Sequence, residues 1–168
     1  MKAGVALPLM ALLVAHVPLL SGQQLVINTT DHLELGTINS GDTKSVGYGD
    51  VGAARWEISG SLLSLASSVS FVLPANLTRV GGGETMPISF CGTCAHLWSR
   101  TCIVALGVKL CTGEHQTTFN PETGYAQLLS LLRESMVVRL GGTIAAAPNQ
   151  MGGSYTGTVV IQLSGVGL

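Results

Sequence analysis

The chain has 168 residues, only 10% of them charged, with 8 Lys and Arg against 9 Asp and Glu and a formal net charge of −1. So sparse a balance, with no Lys/Arg cluster, excludes binding dominated by a phosphate backbone, and nucleic acid is not expected as a partner. It also leaves little charge to hold surfaces apart, which favours packing against neighbours, either copies of the same chain or other surface proteins.

Met1 to Gly22 has the layout of a secretory signal peptide: one cation at Lys2, an apolar run from Ala3 to Leu20, and small residues at Ser21 and Gly22. Cleavage is expected after Gly22, with Ala15 as the alternative. Pro8, His16 and Pro18 interrupt the run and argue against a retained anchor, so no membrane association is expected once the signal is removed. Residues 23–168 then suit a single domain.

Gln24 to Asn28 reads as a short strand, turned by Thr29, Thr30 and Asp31. Leu33 to Ile38 alternates apolar and polar until Gly36, where a glycine inside a strand pattern predicts a bulge or a close backbone approach. Lys44 to Val51, dense in glycine, reads as an irregular loop or weak edge strand. Ala54 to Ser59 sets Trp56 and Ile58 on one face against Arg55 and Glu57 on the other, the period of a half-buried strand. Val69 to Leu73 alternates again and Pro74 ends it. Gly81-Gly82-Gly83 reads as a turn, since no Lys and Ser/Thr follow to make a phosphate loop. Met86 to Cys91 resumes an extended pattern.

Cys102 to Cys111 is apolar through Ile103, Val104, Ala105, Leu106 and Val108, as in a central strand buried on both faces. Asn120 as N-cap, Pro121 at the first helical position, and Tyr125, Leu128, Leu129 and Leu132 at spacings of three and four predict one short helix near 121–134. Ser135 to Ile144 returns to strand character across Gly141-Gly142. Met151 to Leu163, carrying Tyr155, Thr158, Val159, Val160 and Ile161, reads as the best-specified strand, and the fold is expected to be built around it. Short strands separated by Gly, Asn and Pro turns predict an all-β fold, an antiparallel β-sandwich of immunoglobulin-like type.

Cys91, Cys94, Cys102 and Cys111 are an even set in a chain expected to be exported, so two disulfides are the simplest account, with three connectivities open. Cys91-x-x-Cys94 also has zinc-ligand spacing, but the second pair lies too far apart for the usual site, and no metal or other cofactor is expected. A thioredoxin-like role would need a βαβ setting that is missing. Bridged cysteines would fix the stretch from Gly92 to Thr101 as a displayed loop. On it, His96, Trp98 and Arg100 are the candidate binding residues, able to stack on a sugar or anchor a protein. The competing reading packs Trp98 beneath the loop and leaves His96 solvated.

No catalytic residue is expected. Gly152-Gly153-Ser154-Tyr155-Thr156 misses the nucleophile elbow because Thr156 replaces its last glycine, and His32, His96 and His115 are scattered. The sequons at Asn28 and Asn76 matter only in a eukaryotic secretory route.

The order of Asp31-x-Leu33-x-Leu35-Gly36-Thr37-Ile38, Val72-Leu73-Pro74, Gly141-Gly142-Thr143 and Gly153-Ser154-Tyr155-Thr156-Gly157-Thr158-Val159 resembles a bacterial exported family, the domain of unknown function numbered 4402. In that family the residue before the first glycine is usually aromatic, where this chain has Leu35. The family is similar in outline to spore-coat-U and fimbrial-subunit domains, immunoglobulin-like sandwiches assembled at bacterial surfaces. The resemblance implies a secreted or periplasmic, cell-surface protein of structural or adhesive, fimbria-like or coat-like role, with Gly36, Gly142, Gly153 and Gly157 as structural glycines. It also raises completion of the sheet by a neighbour's amino-terminal strand, against which stands the lack of a spare segment before Asn28. The alternative function is an extracellular carbohydrate- or protein-binding module using His96 and Trp98.

Overall fold

The structure, a computed structural model, describes residues 25–60, 66–105, 108–126 and 133–165. The expected signal peptide at 1–22 lies outside them. Twelve strands are described: β1 (Leu25–Asp31), β2 (Thr43–Val46), β3 (Ala54–Gly60), β4 (Ala66–Val72), β5 (Asn76–Arg79), β6 (Thr85–Ser89), β7 (Ala95–Ala105), β8 (Val108–Phe119), β9 (Arg133–Leu140), β10 (Gly142–Ala145), β11 (Tyr155–Thr156) and β12 (Val160–Gly165).

All strand pairs are antiparallel. One sheet runs β1-β3-β9-β7-β8, a second runs β11-β5-β6-β10-β2, and β12 with β4 forms a separate ribbon. The core lies between the sheets: Trp56, Ile58, Leu97, Met136, Val138 and Leu140 come from the first, Met86, Ile88 and Ile144 from the second, and Val69 from the ribbon. The protein is therefore an all-β antiparallel sandwich, as its alternating pattern predicts. β3 alternates as expected, with Ala54, Trp56 and Ile58 buried between the half-buried Arg55 and Glu57.

The organising strands differ from the sequence expectation. Met151 to Leu163 is not one strand: β11 pairs with β5 in the second sheet, whereas β12 pairs with β4 in the ribbon. The break falls at Gly157 to Val159, and β12 itself alternates only between exposed and half-buried. The centre belongs to β9, which pairs with both β3 and β7 and whose Met136, Val138 and Leu140 are wholly buried. Leu33 to Ile38 is irregular: Gly36 takes φ +70°, which breaks the pleat while leaving Leu35 buried.

No helix forms in the described part of 121–134. Asn120 does cap, accepting the Glu122 N–H on Oδ1 at 2.9 Å and the Gly124 N–H on its carbonyl at 3.0 Å. A single turn results, because Gly124 swings to φ +74° and Tyr125 then exchanges backbone hydrogen bonds with Val69. A Cβ on Gly124 would stand 2.6 Å from the Val69 carbonyl oxygen, so the close approach needs glycine. Residues 127–132, which carried the leucine spacing, lie outside the described residues, and Arg133 opens β9.

The run from Cys102 to Cys111 is likewise not a central strand. It forms the two arms of the β7–β8 hairpin, with Cys102 opposite Cys111, Ile103 opposite Leu110 and Ala105 opposite Val108. Pairing of β7 with β9 ends at Thr101, and Val108 and Leu110 are 58% and 49% exposed. Unbroken apolarity reads the same in a strand covered on both faces and in a projecting arm.

Candidate functional site

The four cysteines form two disulfides, Cys91–Cys94 and Cys102–Cys111. The first closes a tight turn in which the Cys94 N–H donates to the Cys91 carbonyl at 3.1 Å; the second ties directly opposed residues across the hairpin. The bridging removes both pairs as thiolate metal ligands. Neither holds a displayed loop, because Ala95 to Ala105 is strand throughout.

That correction changes the geometry of His96, Trp98 and Arg100 without separating them. A strand's period of two puts all three on one face, while Ala95, Leu97 and Ser99 point into the core at 0 to 1% exposure. On the outer face His96 and Trp98 are half-buried and Arg100 is exposed, 3.4 Å from Glu114. Neighbouring strands bring further groups into register: Arg139 and Thr118 flank His96, Val137 and Gln116 flank Trp98, and Arg55 lies opposite Arg139.

The turn after β2 reaches over this face. Tyr48 stacks on His96 with ring centroids 4.9 Å apart and planes 9° from parallel. Burial, then the positive charge of Arg139, hold the His96 pKa below its ordinary 6.5, against a hydrogen bond with the Gln116 side chain that raises it. Arg55 gives its guanidinium to Glu57 at 2.6 Å, whereas Arg139 has no ion pair among the described residues. Beside Arg139 and Arg55 opens a pocket of about 260 Å³, also lined by Asp31, Gly49 and Asp50. Tyr48 and Arg139 carried no signal in the sequence, because neither lies near His96 along the chain.

A second concavity opens between the sheets and shares Asp31 with the first. A groove of about 880 Å³ has Trp56, Met86, Ile88 and Ile144 on its floor, with walls from the stretch after β1 and from the glycine-rich stretch after Gln150. Tyr155 is anchored in that second wall by donating its hydroxyl to the Met151 carbonyl at 2.7 Å and accepting from Gln150 Nε2 at 2.6 Å.

The structural glycines sit at close approaches. A Cβ on Gly157 would meet Leu77 at 2.8 Å; on Gly153 it would meet Arg79 at 2.6 Å, and on Gly36 it would meet Lys44 at 2.8 Å. Gly142 is less crowded, at 3.3 Å from Leu33 and Phe90. The tightest positions are Gly52, which the sequence did not mark, and Gly141, which it marked only as a break in a strand: each would place a Cβ 2.3 Å from a backbone carbonyl, of Glu34 and Val46 respectively.

No family model, curated protein or solved structure matches the chain. Among the described residues, no helix is long and apolar enough to cross a membrane, and no group of three or more His, Cys, Asp or Glu could hold a metal ion.

Proposed function

We propose that this protein is an exported, non-catalytic structural component of a bacterial cell surface, assembled head to tail into a fimbria-like or coat-like array. Two disulfides in a small antiparallel sandwich suit an oxidising compartment. One observation carries the assembly reading: the two edges of the β1-β3-β9-β7-β8 sheet are unlike, one apolar and exposed, the other hollow. At one edge β8 offers the exposed Val108 and Leu110 on a hairpin arm pinned by Cys102–Cys111. At the other, beside β1, lies the groove with its apolar floor.

A contact between unlike surfaces on opposite sides of one molecule repeats without closing unless a rotation intervenes, which is how filaments grow. The occupant of the groove is thus the hairpin arm of a second copy. β1 is spent on β3 within its own sheet, which disfavours exchange of the amino-terminal strand. Size exclusion and electron microscopy of the native secreted material provide the test. Polymers that fall to monomers in Val108→Asp and Leu110→Asp variants of unchanged melting temperature are expected; a native protein that stays monomeric at high concentration overturns the reading.

A second reading, recognition of a glycan or protein, is favoured by the Tyr48–His96 stack beside the half-buried Trp98 on a solvent-facing sheet. Glycan-array binding that vanishes in Trp98→Ala at unchanged thermal stability is its expected signature.

A further inference from the structure

The outer face of the first sheet has an electrostatic peculiarity at its centre. Arg55 and Arg139 are directly opposed across β3 and β9, and like charges in that position repel. Arg55 is neutralised by Glu57 two residues along its own strand. Arg139 is not neutralised: no carboxylate among the described residues lies within ion-pair distance, although Asp31 and Asp50 line the same pocket. Asp50 is turned to its own loop, where its Oδ2 accepts the Gly47 N–H at 2.7 Å, and Asp31 Oδ2 takes the Thr30 hydroxyl at 3.4 Å. The field of Arg139 instead reaches His96 on the next strand.

Aromatic surface adjoins this guanidinium on the side away from Arg55. His96 is directly opposite Arg139, with Tyr48 flat against its ring, and Trp98 follows one pleat along β7. Diagonal neighbours on paired strands lie roughly 7–8 Å apart, so the long side chains of Trp98 and Arg139 can reach one ligand. The Tyr48 hydroxyl makes no hydrogen bond among the described residues. A guanidinium without an ion pair among the described residues offers two parallel donors matched to a planar carboxylate, and an adjoining aromatic face offers a stacking surface for a pyranose. The two requirements meet in one class of ligand.

We infer that the face formed by Tyr48, His96, Trp98 and Arg139 binds a carboxylate-bearing saccharide, a uronate or sialate unit, with the acid on Arg139 and the ring against Trp98. This deepens the recognition reading above and rests on it.

Titration calorimetry of the full chain with trigalacturonate and with sialyllactose, each set against its methyl ester, tests the assignment, because esterification removes the charge and keeps the ring. Saturable binding of at least one acid form is expected, weakened at least tenfold by esterification. Arg139→Ala should weaken it at least tenfold with the melting temperature unchanged, and Arg139→Lys should restore only part of it. Equal affinity for acid and ester overturns the inference, as does the absence of binding by both acids. Neutral glycans that bind through Trp98 and ignore Arg139 would overturn the acidic preference while leaving the recognition reading standing; no glycan bound at all would end this inference and the glycan form of that reading.

Discussion

His96 and Tyr48 lie 48 residues apart in the chain and meet ring on ring, 4.9 Å between centroids. Tyr48 follows β2 of the second sheet and His96 sits on β7 of the first, so the pair links the sheets outside their common core. Stacking of this kind adds about 0.5–1.5 kcal/mol beyond the area it buries.

His96 also makes stability depend on pH. Because burial and Arg139 lower the His96 pKa in the folded chain, the unfolded chain binds the proton more readily. The contribution is therefore complete above the ordinary value of 6.5 and is lost as pH falls through the lower, folded value. Urea midpoints taken across this window should decline on acidification more steeply for the native chain than for His96→Gln; parallel declines would remove His96 as the cause.

The two disulfides should differ in worth. Chain-entropy reasoning gives about 3 kcal/mol for Cys102–Cys111, nine residues apart, and about 2 kcal/mol for Cys91–Cys94, three apart. Paired serine substitutions, compared by guanidinium melts, should keep that order. The Cys102→Ser, Cys111→Ser protein should also lose hydrogen-exchange protection first in the hairpin arm.

Gly141 should tolerate no side chain. Its Cβ would stand 2.3 Å from the Val46 carbonyl oxygen and 2.9 Å from Gly47 and Tyr48 backbone atoms, none of which can rotate away. Gly141→Ala is expected to cost about 3 kcal/mol, and Gly152→Ala, with open space around it, less than about 0.5 kcal/mol. Thermal melts of the two variants should separate widely.

Ser99 is 1% exposed and its hydroxyl finds no hydrogen-bond partner among the described residues. Removing that hydroxyl relieves an unpaid desolvation, so Ser99→Ala should stabilise by about 1 kcal/mol. Leu97→Ala, two residues earlier on the same face, should destabilise by about 2–5 kcal/mol, as a fully buried leucine does. Denaturant unfolding of both gives opposite signs if the assignment of faces on β7 is right.

Much of the architecture was legible. The alternation of Ala54 to Ser59 assigned Trp56 and Ile58 to the core because a half-buried strand writes its two faces into every second residue. Glycine, proline and asparagine marked the turns for reasons equally local. Asn120 capped as predicted, yet the helix failed because Gly124 and the bridge from Tyr125 to Val69 redirect the chain. Gly141 showed in the sequence only as a break in a strand, because its crowding comes from Val46 some 95 positions earlier.

By itself, then, the sequence determined that this chain is extended, antiparallel and all-β, and that its cysteines come in pairs. Only the tertiary structure decided that Cys102 to Cys111 projects as a hairpin, that Met151 to Leu163 is split between two partners, and that His96, Trp98, Tyr48 and Arg139 share one face. The reason is physical: a strand's own pleat fixes which residues face together, but its neighbour is chosen by contacts distant in the chain, and a site built across several strands exists only once those neighbours are chosen.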